Sequence, residues 1–340
     1  MYPKIYIVLL NYNGWVDTIE CLESIFKIDY PNYKVIVVDN NSPNDSIRYI
    51  KAWADDKLNV WRSPQSPLRH YSYLPVQKPI SYKLYNNLFE LENRQDTHHI
   101  DSNEDPLVLI QTGSNGGFAF GNNAAIKYAL SEKDVDYVLL LNNDTVVEKD
   151  FLAKMLQTAI SSPNIGITGC KIYYYDWPDK IWFNGAIFNE WTGTTIHCQS
   201  DIDATWSQST FITGCSMLIR KDVFRKVGLL DESYFMYIED LDFSYRTRHA
   251  GYDLAVAHTA EIWHKVGASS DGEFSVFSTY WILRNRVRFI LKHMPLLKRI
   301  TAIGFIISTR FFKWTEYFFY GKTDLILAQL KGIKDGILIR

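Results

Sequence analysis

The sequence predicts an α/β fold, a mostly parallel mixed sheet flanked by helices, with a C-terminal helical extension. Three observations predict it. Apolar runs at residues 5–10, 35–38, 107–110 and 138–141 have the length and branching of buried strands. Segments with helical spacing separate them, as in βαβ units with right-handed parallel pairing. Two of the runs stop at short polar turns carrying an aspartate, Asp39 and Asp144, which puts a ligand crevice at one edge of the sheet.

Residues 5–10 form the first strand, and Asn11-Tyr12-Asn13-Gly14 turns the chain into a helix over 16–26, where Ile19, Leu22, Ile25 and Phe26 recur at helical spacing. The second strand, 34–39, ends in Asp39-Asn40-Asn41-Ser42. Asp39 is there within reach of a nucleotide's base or ribose, although such a turn is also ordinary loop chemistry. No G-x-G-x-x-G follows the first strand, which disfavours a dinucleotide dehydrogenase. A helix with Ile47, Ile50, Ala54 and Leu58 leads to a third strand near 58–61. Residues 62–106, with five prolines, read as an insertion containing one helix over 81–91 and exposed His98 and His99.

After the strand at 107–110, the three glycines of Gln111-Thr112-Gly113-Ser114-Asn115-Gly116-Gly117 allow backbone to approach a ligand. In the following helix, 118–130, small residues permit tight docking on the sheet. Asn115 and Asn122 either point into the crevice or act as caps. The central strand is Asp136-Tyr137-Val138-Leu139-Leu140-Leu141, running into Asn142-Asn143-Asp144. Asp144 offers an oxygen ligand to a hard divalent cation, or caps the helix over 150–159. A short strand over 165–169 precedes an aromatic-rich stretch, 171–209, in which Trp182 and its neighbours suit either sugar rings or packing. A turn and strand over 211–220 and a helix over 221–227 come next.

Glu239, Asp240 and Asp242 then place three acids in four residues, embedded among aromatics. Helical spacing brings Glu239 and Asp242 to one face and turns Asp240 away. A helix start stabilises them as anions, so a general base here needs neighbouring carboxylates to raise its pKa; a cap salt-bridged by Arg246 and Arg248 is the alternative. Residues 252–257 read as a strand and 263–270 as a loop bearing His264 and Lys265. The imidazole of His264 suits a partner for Asp144 in holding a divalent ion.

The 340 residues, 47% of them apolar, suffice for one large core. A formal net charge of −2 gives no field for nucleic acid. Residues 281–340 nevertheless hold twelve basic and three acidic side chains, a net of +9, leaving −11 for the rest. Basic, aromatic-rich helices suit the surface of an anionic membrane; a cover for the sheet edge or a homodimer seam is the alternative. The four scattered cysteines indicate neither a zinc site nor a disulfide framework, and the apolar runs are too short to span a membrane. The expected location is the cytoplasm, at the inner face of the membrane if the tail binds it.

Together, Leu10-Asn11-Tyr12-Asn13-Gly14, Val37-Val38-Asp39-Asn40-Asn41-Ser42, Asn115-Gly116-Gly117-Phe118-Ala119-Phe120-Gly121-Asn122-Asn123, Leu139-Leu140-Leu141-Asn142-Asn143-Asp144, Thr213-Gly214-Cys215-Ser216-Met217-Leu218-Ile219-Arg220, Phe235-Met236-Tyr237-Ile238-Glu239-Asp240-Leu241-Asp242 and His264-Lys265-Val266-Gly267-Ala268-Ser269 resemble the inverting family 2 glycosyltransferases, particularly their rhamnosyltransferase-like branch. The resemblance covers residues 1 to about 290 apart from the insertion. It implies a GT-A domain over 1–270, interrupted at 62–106 and followed by the extension over 271–340. It implies that Asp39 binds a pyrimidine base, with Asn11, Asn13, Asn115, Asn122, Asn142 and Asn143 on the donor side. Asp144 and His264 would hold Mg²⁺ or Mn²⁺, with Asn142 standing where an aspartate is usual, and Asp240 would be the general base. Glu239, Asp242, Trp182 and Lys265 would line the acceptor side or support the site. The implied donor is dTDP-rhamnose or a related dTDP- or UDP-sugar, and the acceptor a saccharide or lipid-linked oligosaccharide in surface polysaccharide synthesis. A nucleotidylyltransferase would need a basic glycine-rich loop after the first strand, which Asn11 to Gly14 does not supply. A non-catalytic sugar-binding protein would not need Asp240.

Overall fold

The computed structural model describes residues 2–58, 63–93, 105–266 and 275–338. The chain begins β1 (Lys4–Asn11), α1 (Trp15–Ile25), β2 (Tyr33–Asp39), α2 (Ser46–Ala54), α3 (Arg69–Ser72), β3 (Tyr82–Tyr85), α4 (Leu88–Glu92) and β4 (Leu107–Gln111). Next come α5 (Gly117–Ser131), β5 (Val135–Asn142), β6 (Thr145–Val147), α6 (Phe151–Ile160), β7 (Ile165–Tyr174), β8 (Ile181–Phe183), β9 (Ala186–Asn189), β10 (Thr194–His197) and β11 (Trp206–Ser209). The last part holds β12 (Ser216–Arg220), α7 (Lys221–Val227), α8 (Glu239–His249), β13 (Asp253–His264), α9 (Val276–His293), α10 (Leu296–Phe319) and α11 (Thr323–Leu338).

Branched side chains on both faces of β1, β2, β4 and β5 are buried, as expected for parallel strands covered by helices on both sides. The sheet order is β11-β13-β7-β12-β5-β1-β2-β4-β3, with β6 on β13 and β8 on β7. Pairing is parallel from β5 to β3 and between β7 and β13, while β12 runs antiparallel to both of its neighbours. This is the α/β, mostly parallel mixed sheet read from the sequence. Because β1 pairs with both β2 and β5, Asn11 lies opposite Asp39, and Leu10 opposite Asn142. The two acid-bearing ends thus meet at one edge. On the helical side, α9 adds Leu283, Val287, Phe289 and Ile290 to the same core.

Some expected elements differ. Residues 81–91 are not one helix: Tyr82–Tyr85 is an edge strand parallel to β4, and the Asn87 side chain then caps α4 by accepting from Glu90 N at 2.8 Å. The strands expected at 165–169 and 252–257 are longer, because β7 and β13 stay paired from Asp253 opposite Ile165 to His264 opposite Tyr174. His264 therefore ends a strand instead of sitting in a loop. The third strand expected near 58–61 is not formed at Leu58, and residues 59–62, His98, His99 and 267–270 lie outside the described residues.

Candidate active site

A chain of hydrogen bonds runs from Asp39 to Asn143, the residue before Asp144. Asn11 Nδ2 donates to Asp39 Oδ1 at 2.7 Å, Thr18 Oγ1 donates to Asn11 Oδ1 at 3.0 Å, and Asn143 Nδ2 donates to Thr18 Oγ1 at 2.8 Å. Asp39 Oδ2 also accepts from Ser42 N at 3.2 Å. Asn11 and Asn143 are buried and committed to this chain, so they set the position of Asp39 relative to the turn before Asp144. Thr18 was not singled out from the sequence; its place on the first turn of α1 carries no local signature. Asn13 is exposed at the rim with a positive φ of 59°, its N–H donating to Ser42 Oγ.

At the end of β5, the Asp144 carboxylate and the His264 ring are both buried. His264 Nε2 stands 3.1 Å from Asp144 Oδ1 and 3.3 Å from Asn142 Nδ2. The alignment makes no hydrogen bond to Asp144 Oδ1, which is buried without a donor, as His264 Nδ1 is without a partner. A buried carboxylate oxygen with no donor, facing an imidazole nitrogen, fits a hard divalent cation. The set is sparse: among the described residues no three His, Cys, Asp or Glu gather to hold a metal by themselves. Trp182 lies edge-on to the His264 ring, 5.0 Å between centroids. Lys265 is turned the other way, its Nζ 2.6 Å from both Asp17 and Glu20 carboxylates. Burial alone would lower its pKa, but those two charges raise it, which fixes Lys265 as a brace from β13 to α1.

The third group is the start of α8. Here three neighbouring acids stand in three different environments. Asp242 is fully buried and receives Arg246 Nε at 2.6 Å, Lys292 Nζ at 2.9 Å, His293 Nε2 at 2.6 Å and the Tyr234 hydroxyl at 3.1 Å. Burial would raise its pKa, but these partners hold it well below the usual carboxylate range. It does not face the crevice. Glu239 is also buried, with Oε2 unpartnered; burial first, and then the Asp240 charge, push its pKa well up. Asp240 alone is half-exposed. It accepts from Gly214 N at 2.9 Å and from Leu241 N at 2.8 Å, and burial raises its pKa while these backbone bonds oppose the rise.

Two consecutive residues join this acid to the Asp144 turn. Gly214 N donates to Asp240, and Cys215 O accepts from Asn142 N at 2.9 Å, so β12 brings Asp240 and the Asn-Asn-Asp turn to one opening. The loop entering α8 is strained, with positive φ at Phe235, Tyr237 and Ile238. Asn285 on α9 holds it: Nδ2 lies 2.6, 2.7 and 2.9 Å from the carbonyls of Tyr234, Met236 and Tyr237. Gly117, at φ 90°, lets α5 abut the same loop, where a Cβ would stand 2.1 Å from Phe235 O. Asn115 is exposed beside it, its Oδ1 accepting from Asn40 Nδ2 and Gly117 N. Asn122 is buried and donates to Phe118 O within its own helix, so it serves α5 instead of reaching the crevice.

Two family models match the chain: one described as "Glycosyl transferase family group 2" over residues 137–315, and one as "Glycosyl transferase family 2" over 6–67. The low-salt glycan biosynthesis hexosyltransferase Agl10 of Haloferax volcanii is 26% identical over 277 residues, covering 78% of this chain and 85% of its own. The rhamnosyltransferase WbbL of Escherichia coli strain K12 is 28% identical over 245 residues, covering 62% of this chain and 89% of its own. Among solved structures, the mannosyltransferase PcManGT of Pyrobaculum calidifontis, in complex with GDP-Man and Mn²⁺, superposes with a TM-score of 0.53 at 13% identity, covering 99% of this chain and 74% of that one. The shared fold is GT-A.

Proposed function

The chain belongs to glycosyltransferase family 2 and is a glycosyltransferase, and from that premise we propose that it transfers rhamnose from dTDP-rhamnose, with inversion, to a saccharide or lipid-linked acceptor. The carrying observation is the half-exposed Asp240, joined through Gly214 and Cys215 to the turn that bears Asp144.

Asp39 receives the pyrimidine base, held in place by Asn11 and Ser42. Asn13 and Asn115 stand at the rim of the donor side, Asn142 beside His264, and Asn143 keeps the Asp144 turn in register with Asp39. Asp144 and His264 would hold Mg²⁺ or Mn²⁺, which when bound would neutralise charge on the leaving diphosphate. Asp240 accepts the proton of an acceptor hydroxyl as its oxygen attacks the anomeric carbon from the face opposite the diphosphate. One displacement breaks the bond to the diphosphate oxygen, forms the glycosidic bond and inverts the configuration. A pKa raised by burial makes Asp240 a better proton acceptor than a solvated aspartate. Glu239 supports it as a neighbouring acid that burial disfavours as an anion, and Asp242 anchors the helix. Trp182 walls the site next to His264, with Lys265 bracing from behind.

Nucleoside diphosphate release, followed across a panel of dTDP-, UDP- and GDP-sugars with Mg²⁺ or Mn²⁺, tests this reading. Turnover with dTDP-rhamnose is the expected result, and release confined to another donor would replace the sugar assignment while leaving the site intact.

A further inference from the structure

Helix α10 presents an outward face that none of the described residues covers. Leu297, Gly304, Phe311 and Phe318, seven residues apart, run down that face and are all exposed. Ile300, Ile307, Phe312 and Phe319 flank them, with Phe312 72% and Phe319 84% exposed. The charged residues exposed on α10, Lys313 and Glu316, sit at the side and pair with each other at 2.9 Å. The opposite face is committed to the protein through buried Ala302 and Ile306, the Trp314 indole N–H donating to Gln329 Oε1 on α11, and Lys298 paired with Glu190. Behind it, α11 packs closely on α9, because a Cβ at Gly336 would lie 2.5 Å from Arg284 O and one at Gly332 2.8 Å from Tyr280 O.

We propose that α10 lies in the interfacial plane of an anionic bilayer, its Phe311, Phe312, Phe318 and Phe319 inserted among the acyl chains, with Lys322, Lys331 and Lys334 against the headgroups. A helix whose one face is packed on the protein and whose other face is apolar and exposed can lay that exposed face in the interface plane. No described helix is long and apolar enough to cross a membrane. Charge decides between a bilayer and a second copy of the chain. A two-fold seam would set the exposed Lys322, Lys331 and Lys334 of one copy against those of the other, whereas anionic lipid neutralises them. Since α9 connects this face to the site through Asn285, Lys292 and His293, docking fixes how the crevice stands relative to the membrane.

The inference does not depend on the donor or acceptor assigned above, and flotation reads it without either. The full chain is floated with vesicles of phosphatidylcholine alone or mixed with phosphatidylglycerol. The parent is expected to float with the mixed vesicles and about tenfold less with phosphatidylcholine alone. The triple change Phe311→Ser, Phe312→Ser, Phe318→Ser should stay at the bottom while keeping the parent's melting temperature and its turnover of a water-soluble acceptor. Lys322→Glu with Lys331→Glu, which leaves the aromatics in place, should reduce flotation by about tenfold or more. A parent that stays at the bottom, or a triple variant that floats like the parent, overturns the proposal. So does a dimer, seen by light scattering, that the triple change dissolves in a chain that does not float.

Discussion

The strand-end acids and the helix-start acids reach the same opening by different physics. Asp39 and Asp144 stand where apolar strands run out, and the parallel pairing of β1 with β2 and β5 places both at one edge. Asp240 stands at the start of a helix whose entry loop is strained, and it depends on Gly214 in the turn before β12 and on Asn285 from α9. The first pair is held by a short network that begins and ends in buried amides; Asp240 is held by Gly214, 26 positions before it, and its entry loop by Asn285, 49 positions after Met236. In the proposed function one edge serves affinity and the other turnover, and substitutions should separate them.

The largest separation is expected at Asp240. Asp240→Asn keeps size and one hydrogen-bond acceptor but takes no proton, so turnover should fall by roughly 10²–10⁴ while donor affinity stays near the parent's. Kinetics beside calorimetry with the donor nucleotide read both, and loss of affinity would merge the two edges. Asp242→Ala should act on stability instead: Arg246, Lys292 and His293 would be left around an empty buried position, costing about 3–5 kcal/mol in chemical denaturation. At Asp144 the effect should be confined to metal. Asp144→Ala should abolish the gain in nucleotide affinity that Mg²⁺ or Mn²⁺ gives, whereas Asp39→Ala should weaken binding with or without metal. Asn285→Ala should cost about 1–3 kcal/mol of stability by freeing buried carbonyls of the entry loop, and lower turnover more than donor affinity.

The smallest effect expected is a pH dependence within α8. Glu239 and Asp240 have raised pKa values in the fold, so their contribution to stability is full below the unfolded values near 4 and is lost as pH rises through the folded ones. Asp242 behaves oppositely: its stabilisation is present above the unfolded value and lost as pH falls toward the folded one. Glu239→Gln should therefore raise the melting temperature by roughly 1–3 °C near neutral pH, with the gain shrinking toward pH 4. An equal gain at both pH values would mean that Glu239 carries no charge penalty.

What the sequence revealed follows the same division. The central strands, their order of alternation with helices and the acid at each end are local features, so the α/β class and the Asp39 and Asp144 edge were legible. The helical spacing turned Asp240 away from Asp242, whereas Glu239, expected on the Asp242 face, shares none of its partners: Arg246, Lys292 and His293 go to Asp242 and leave Glu239 Oε2 buried without one. Three things were hidden because they are set by pairing across the sheet or by distant packing. His264 belongs to a strand only because β13 follows β7 to its end. Lys265 goes to Asp17 and Glu20, about 245 residues earlier, and Thr18 links Asn11 to Asn143, 132 residues apart in the chain. Asn285, in a helix whose basic residues drew attention to its surface, shows no sign in sequence that its amide holds the loop before Asp240.

The central claim is a single displacement at the anomeric carbon with Asp240 as base. NMR of the product, recorded early in the reaction of the parent enzyme, tests it most directly through the one-bond C1–H1 coupling at the anomeric centre of the newly linked sugar. The account predicts the configuration opposite to that of the donor; a product that retains the donor's configuration would contradict it.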